Sequence, residues 1–254
     1  MKVEHRDRGE YSELYHEYKI YKDLAGCPGI SKAYWYGSEG PYNVMVINRY
    51  QLSLDEMVGQ AALDRLTAVS FGIQMVSACS KIQKTCFNQH TQLYSLESIH
   101  AHGYIHRDIK PDNFMVGVNK KIYLIDFGLA QQFCDPCTHV HIPLTRGNNL
   151  IGTIRYTSVN SHMGLQQSRR DDLESFAYTL VYLLYGQLPW QGIPLSRNAD
   201  RAAAVLRLKQ EFCNQNCNTI PSDLSTFLLH IQSLAFEQKP DYIHLHTLLQ
   251  KLPT

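Results

Sequence analysis

The sequence of 254 residues has almost no net charge and no long apolar run. Its formal net charge is +1 at pH 7, so no overall field of one sign predicts binding to nucleic acid or to an anionic membrane. No apolar segment reaches the length of about 20 residues that a membrane-spanning helix needs, and residues 1–7 are too charged for a secretory signal. We therefore expect a protein of the cytoplasm, the nucleus or both, with no nucleic-acid partner and no membrane span.

A disulfide framework is also lacking. Seven cysteines, an odd number spread over a long chain, predict free thiols rather than a fold held by disulfide bonds. One group nevertheless has the residue types and the spacing of a zinc site, because Cys134 and Cys137 are followed by His139 and His141. A zinc-binding regulatory domain is therefore one alternative.

Internal repeats, linkers and low-complexity segments are absent too, and a composition of 44% hydrophobic and 19% charged residues is that of a globular protein. A chain of this length can bury a large core as one domain or as two lobes. Apolar periodicity and turn residues predict helices at 11–24, 63–77, 169–186, 202–212, 224–234 and 245–252, and strands at 33–37, 42–48 and 121–125. The helix at 169–186 is apolar on almost all sides, so we expect it to be buried.

Two polar motifs carry the chemistry. Residues 105–113 read Ile-His-Arg-Asp-Ile-Lys-Pro-Asp-Asn, and Asp-Phe-Gly follows at 126–128. Transfer of a phosphoryl group to a hydroxyl needs a carboxylate base, a cation beside the transferring oxygens and oxygen ligands for Mg²⁺. Asp108 is the candidate base, Lys110 the candidate cation, and Asn113 and Asp126 the candidate Mg²⁺ ligands.

These motifs resemble the catalytic loop and the magnesium loop of eukaryotic protein kinases. Flanking segments resemble the casein kinase 1 family: Thr-His-Val-His-Ile-Pro at 138–143, Ser-Val-Asn at 158–160, where that family has Ser-Ile-Asn, and Gln-Ser-Arg-Arg-Asp-Asp-Leu-Glu-Ser at 167–175. The resemblance extends over nearly the whole chain. It implies an α+β, bilobal kinase fold and makes the histidines of the possible zinc group part of the activation segment.

The resemblance also assigns the nucleotide site. Lys2 falls on the lysine that contacts the α and β phosphates of ATP, and Glu17 falls on the helix carboxylate that pairs with it. Ile47 lies at the back of the adenine pocket, and the hinge that bonds adenine runs from Asn48 to Tyr50.

One part of the kinase pattern is missing from these 254 residues. No Gly-x-Gly-x-x-Gly segment precedes Lys2, so the loop that covers the ATP phosphates is absent. We expect a truncated small lobe at residues 1–50 and a large lobe at 51–254 with an insertion near 78–94 that loops out, a helical continuation being the alternative. The sequence is compatible both with a fragment of a longer protein and with a family member that has lost part of its nucleotide clamp.

For the substrate, the resemblance implies a basic pocket beside the activation segment. Arg155 matches an arginine of that pocket and Lys209 is assigned as its lysine, whereas Asn148 replaces a further lysine. Protein substrates that are acidic or already phosphorylated are therefore expected. The resemblance also implies that Asp172 contacts the backbone of the catalytic loop and holds that loop in place.

The sequence thus predicts a serine/threonine protein kinase that uses ATP and Mg²⁺. A pseudokinase, or scaffolding module with impaired nucleotide binding, is the main alternative because the glycine-rich loop is missing.

Overall fold

The structure is a computed structural model that describes residues 1–6, 12–60, 63–76, 95–147, 149–194, 200–214, 220 and 222–252. The expected insertion near 78–94 and the replaced lysine position, Asn148, lie outside these residues. Among the described residues, no helix combines the length and the apolar character that crossing a membrane requires.

The described elements follow one another in the order strand, helix, two strands, and then a mainly helical remainder. They are β1 (Lys2–His5), α1 (Glu13–Asp23), β2 (Ala33–Glu39), β3 (Tyr42–Ile47), β4 (Leu52–Ser53), α2 (Leu54–Gln60), α3 (Arg65–Val76), α4 (Ser95–Ala101), β5 (Tyr104–Ile105), β6 (Phe114–Val116), β7 (Ile122–Leu124), β8 (Gln131–Gln132), α5 (Val159–His162), α6 (Arg169–Tyr185), α7 (Arg201–Asn214), α8 (Ser222–Gln232) and α9 (Tyr242–Gln250). The helices and strands predicted from periodicity are all present, with ends displaced by a few residues.

The small lobe is an antiparallel sheet in the order β1-β3-β2 with α1 against one face. Lys2 lies opposite Met45 in this sheet, so its side chain points towards α1. Helix α1 begins after Ser12, whose hydroxyl accepts a hydrogen bond from the Tyr15 N–H, as an N-cap residue does. Within the described residues β1 pairs with β3 alone, which leaves β1 at the edge of the sheet.

The large lobe is built around α6. Every residue of this helix from Asp171 to Leu183 is buried, as its nearly uniform apolar surface predicts. The helix ends at Gly186, which has φ 73°, a left-handed conformation that suits glycine. Helices α3 and α8 pack against α6, and Asp172 in its first turn accepts hydrogen bonds from the loop that follows β5.

The two chemical motifs flank one hairpin and meet at its open end. Strands β6 and β7 pair antiparallel, with Phe114 opposite Leu124. The Ile125 N–H donates to the Asn113 carbonyl at 3.0 Å, and this bond brings the end of the first motif beside the start of the second. The predicted fold, an α+β bilobal kinase-like architecture with a short small lobe, is what the structure shows.

Candidate active site

Asp108 is held by its own loop and by the activation segment. Its Oδ1 accepts hydrogen bonds from the Thr153 N–H at 2.9 Å and the Thr153 hydroxyl at 2.7 Å. The Lys110 ammonium lies 2.7 Å from Asp108 Oδ2 and also donates to the Thr153 hydroxyl at 3.1 Å. A carboxylate, an ammonium and a hydroxyl therefore form one connected group. The contact of Thr153 with Asp108 was not predicted from the sequence.

The loop that carries Asp108 rests on Asp172. Both oxygens of this buried carboxylate accept backbone hydrogen bonds, from the His106 N–H at 2.7 Å and the Arg107 N–H at 2.9 Å, and His100 Nε2 lies 2.9 Å away. Arg107 has φ 68°, a strained backbone for a residue other than glycine. Burial raises the pKa of Asp172, but hydrogen bonding and charge from His100 outweigh it and lower that pKa. The expected contact between Asp172 and the catalytic loop is confirmed.

Lys2 joins the small lobe to the magnesium-loop motif. Its ammonium lies 2.7 Å from Glu17 Oε1 and 2.7 Å from Asp126 Oδ1, so the predicted pairing of Lys2 with Glu17 is confirmed as a contact. Burial lowers the pKa of Lys2, but the two carboxylates outweigh it and raise that pKa above its ordinary value. Burial raises the pKa of Glu17, and Lys2 opposes this shift only in part.

Phe127 anchors the second motif in the core. The Phe127 N–H donates to Glu17 Oε1 at 3.1 Å, and its ring packs edge-on against Tyr21 at 5.0 Å and against His106 at 5.1 Å. The Asp126 N–H donates to the Tyr21 hydroxyl at 3.0 Å. With Phe127 turned inward, Asp126 faces outward and its side chain is 42% exposed.

The donor set fits Mg²⁺ bound through ATP phosphates. Asn113 Nδ2 donates to the Asp108 carbonyl at 2.8 Å, so its amide oxygen is the atom that a cation can use. Burial raises the pKa of Asp126, but Lys2 outweighs it and lowers that pKa, which keeps the carboxylate charged. Mg²⁺ is commonly bound by one or two protein oxygens with phosphates and water completing its octahedron, and Asn113 and Asp126 supply two hard oxygens of that kind.

The possible zinc group is not assembled. Cys134 and His141 face each other in an isolated antiparallel bridge. However, in the part of the chain that the structure describes, no three His, Cys, Asp or Glu side chains come together where they could hold a metal ion. The zinc alternative, which depended on residue spacing, therefore has no structural support.

The residues expected to bind adenine lie at the end of β3. Ile47 is paired with Ala33 across the sheet, and its side chain packs against the hydrophobic core. The Asn48 N–H donates to the Lys32 carbonyl at 3.1 Å, so this group is used within the fold. The Tyr50 ring packs against Tyr123 with centroids 5.1 Å apart. The assignment of residues 48–50 as the hinge that bonds adenine stays a prediction.

The two residues expected to form an anion pocket, Arg155 and Lys209, lie in different surroundings. A cavity of about 520 Å³ lies beside Lys110 and Thr153, and Arg155 lines it together with Arg201. Lys209 is not exposed to this cavity, because its side chain is 0% exposed and bonds backbone carbonyls in the interior. The assignment of Lys209 to an exposed anion pocket is wrong.

Helical spacing explains the error. Val205, Lys209 and Phe212 are spaced i, i+4 and i+7 along α7 and are all buried, so the lysine lies on the apolar face that packs inward. Arg201, at the start of the same helix, lines the cavity together with Lys110 and Arg155. The spacing of Lys209 from the apolar residues of α7 would have shown that Lys209 lies on the buried face, whereas Arg201 lines the cavity.

Comparison with known proteins agrees with this geometry. A family model described as protein kinase domain matches residues 1–241. The chain therefore belongs to the protein kinase domain family.

Proposed function

We propose that this protein is an active serine/threonine protein kinase, similar to casein kinase 1, that transfers the γ-phosphoryl group of ATP to protein hydroxyls. The observation that carries the proposal is the continuous polar chain from Glu17 through Lys2 to Asp126, beside the group formed by Asp108, Lys110 and Thr153. Kinase turnover requires the Lys–Glu pair and the Asp of the magnesium loop to be in place together. A fold alone would not support this conclusion.

Each residue has one task in the proposed reaction. Asp108 accepts the proton of the substrate hydroxyl, whose oxygen forms a bond to the γ-phosphorus while the bond to the ADP oxygen breaks. Lys110 lies beside the same carboxylate and stabilises negative charge on the transferring oxygens. Asn113 and Asp126 would hold Mg²⁺, which neutralises phosphate charge when bound. Lys2 orients the phosphate tail while Glu17 orients Lys2.

A nucleotide-binding pseudokinase is the competing candidate. It would have the same fold and the same placement of Lys2, Glu17 and Asp126 without transferring a phosphoryl group. The intact carboxylates argue for turnover.

Substitution of the base decides between these candidates. Asp108→Asn should reduce phosphorylation of a casein-like substrate by roughly 10²–10⁴-fold, because the proton acceptor is lost, without loss of ATP binding. Glu39→Gln, at an exposed position of β2, is the matched control. Turnover that Asp108→Asn does not reduce, or no turnover by the unaltered protein with Mg²⁺ and ATP, would contradict an active kinase.

The hydroxyl class is tested with matched peptides. Lys110 bridges Asp108 and Thr153, and the resemblance associates a lysine at this position with serine or threonine. Otherwise identical peptides that carry Ser, Thr or Tyr should be phosphorylated at the first two residues. Equal labelling of the tyrosine peptide would rule out this specificity.

We also propose that acidic or pre-phosphorylated protein substrates bind in the cavity lined by Arg155 and Arg201. A guanidinium can bind a phosphate through two hydrogen bonds. Arg155→Ala should raise KM for a phosphorylated peptide, spare the unphosphorylated peptide, and make the preference less dependent on salt. Arg207→Ala on the exposed side of α7 is the control. Equal effects on both peptides would instead show that Arg155 supports the loop.

A further inference from the structure

Lys209 makes an unusual set of contacts for a lysine. Its ammonium donates to the Ile154 carbonyl at 3.0 Å and to the Thr157 carbonyl at 2.5 Å. It also lies over the rings of Tyr178 and Trp190, at 4.9 and 5.3 Å from their centroids. The side chain is completely buried, so the desolvation cost of the amine must be offset by these contacts.

The two carbonyls belong to the segment that faces the substrate. Residues 154–157 directly follow Thr153, which bonds Asp108, and Ile154, Arg155 and Tyr156 line the cavity beside Lys110. The Trp190 indole N–H donates to the Arg155 carbonyl at 2.7 Å. Side chains of the large lobe thus bind the carbonyls of Ile154, Arg155 and Thr157, which fixes the direction in which the intervening side chains point.

Helix α6 holds the next part of the same segment. Glu174 accepts hydrogen bonds from the Val159 N–H at 2.9 Å and from the Tyr178 hydroxyl at 2.5 Å, and its charge acts on Lys209. His162 Nε2 lies 3.2 Å from the Lys209 ammonium. The amine is therefore placed where α5, α6 and α7 meet under the substrate-facing residues.

We propose that Lys209 is a positioning residue for phosphoryl transfer, which acts by fixing residues 154–157 so that a protein substrate presents its hydroxyl to Asp108. This inference rests on the proposed kinase activity. It differs from the corrected assignment, because the lysine contacts backbone carbonyls and not the anion of the substrate. Any loss on removing it should therefore fall on peptide binding and not on ATP binding.

The first test compares the effect of a substitution on KM for the peptide with its effect on KM for ATP. Lys209→Met keeps the length of the side chain but leaves carbonyls without a donor, and should raise KM for an unphosphorylated peptide by about tenfold or more. KM for ATP should stay within about twofold, because Lys2 and Asp126 are untouched. Lys209→Arg, which keeps donors for both carbonyls, should recover part of the loss. Arg207→Met on the exposed side of α7 is the matched control and should behave as the unaltered protein.

A second measurement separates this inference from the activity it rests on. Amide hydrogen exchange across residues 150–160 and calorimetric peptide binding need no turnover. Lys209→Met should speed exchange in that segment and weaken peptide binding, while Arg207→Met should do neither. If the unaltered protein shows no transfer, the proposed function fails but these measurements still report on positioning. Equal changes in both KM values, or unchanged exchange at 150–160 in folded Lys209→Met, would overturn the positioning role.

Discussion

Two lysines with opposite surroundings lie on the proposed nucleotide side and the proposed substrate side of the candidate active site. On the nucleotide side, Lys2 is 30% exposed and pairs with the carboxylates of Glu17 and Asp126, which raise its pKa. On the substrate side, Lys209 is fully buried and bonds neutral carbonyls, and burial lowers its pKa to about 7. One ammonium is stabilised by opposite charge, and the other is bound mainly by dipoles and aromatic rings.

The difference indicates different tasks. Carboxylates around a partly exposed ammonium keep it charged and next to water, where phosphates can join or replace them. Backbone carbonyls around a buried amine can move away only if the conformation of their segment changes. Such a contact therefore stabilises that conformation and does not suit ligand exchange. Substitutions on the nucleotide side should therefore lower the rate of phosphoryl transfer. Substitutions on the substrate side should instead disturb the conformation of the segment that Lys209 bonds.

The largest expected effect comes from Lys2. Lys2→Met removes the cation that we propose aligns the phosphate tail and should lower kcat/KM for ATP by roughly 10²–10³-fold, with a smaller decrease in Tm than Lys209→Met causes. Steady-state kinetics with scanning calorimetry checks both quantities.

Lys22→Met, an exposed lysine on the same helix as Glu17, controls for the loss of one positive charge near the small lobe. If Lys2→Met decreased Tm more than Lys209→Met did, the division into a chemical lysine and a structural lysine would be wrong.

The next effect compares two carboxylates on α6. Asp172 supports the catalytic loop and its pKa is lowered, whereas burial raises the pKa of Glu174, which supports the substrate segment. Asp172→Asn should cost about 3–5 kcal/mol of unfolding free energy, because a charged acceptor of several N–H groups is lost. Glu174→Gln keeps an acceptor oxygen where charge is already disfavoured and should cost about 1–2 kcal/mol.

Urea unfolding of the two variants at pH 7 gives both values under the same conditions. A cost for Glu174→Gln that equals or exceeds the cost for Asp172→Asn would show that the substrate side, like the nucleotide side, depends on a full buried charge.

Much of the fold could be predicted from the sequence because its signals are local. The apolar surface of α6, the turn residues between β2 and β3 and the two polar motifs mark elements that form where they are expected. The bonds from Asp172 to the catalytic loop followed from the family resemblance and not from spacing, because His106 and Asp172 are 66 residues apart.

The site was harder to predict where a residue type has two opposite uses. A lysine on a helix usually faces solvent, and Lys209 could be recognised as buried only from its spacing to Val205 and Phe212. The role of Thr153 depends on a contact with Asp108 across 45 residues, for which the sequence offers no local pattern. The sequence predicted Asn48 as a hinge residue, but the hydrogen bond from its N–H to the Lys32 carbonyl depends on sheet register and could not be predicted.

The smallest expected effect is the pH dependence contributed by His162. Burial and, to a smaller extent, the neighbouring charge of Lys209 together lower the pKa of His162 from 6.5 to about 4. The unfolded chain therefore binds a proton in the window from 6.5 down to about 4 that the folded protein does not bind. The stability contribution of the neutral imidazole is complete above that window and is lost as the pH falls through it. His162→Gln should flatten this part of the curve of unfolding free energy against pH, while His5→Gln at an exposed position of β1 serves as the control for loss of a histidine.

In NMR titrations the His162 midpoint should rise in Lys209→Met, because the nearby cation is gone. A midpoint near that of a free histidine in the unaltered protein would mean that Lys209 and the burial around it do not act on His162, and that the substrate side is more open to water than its contacts indicate.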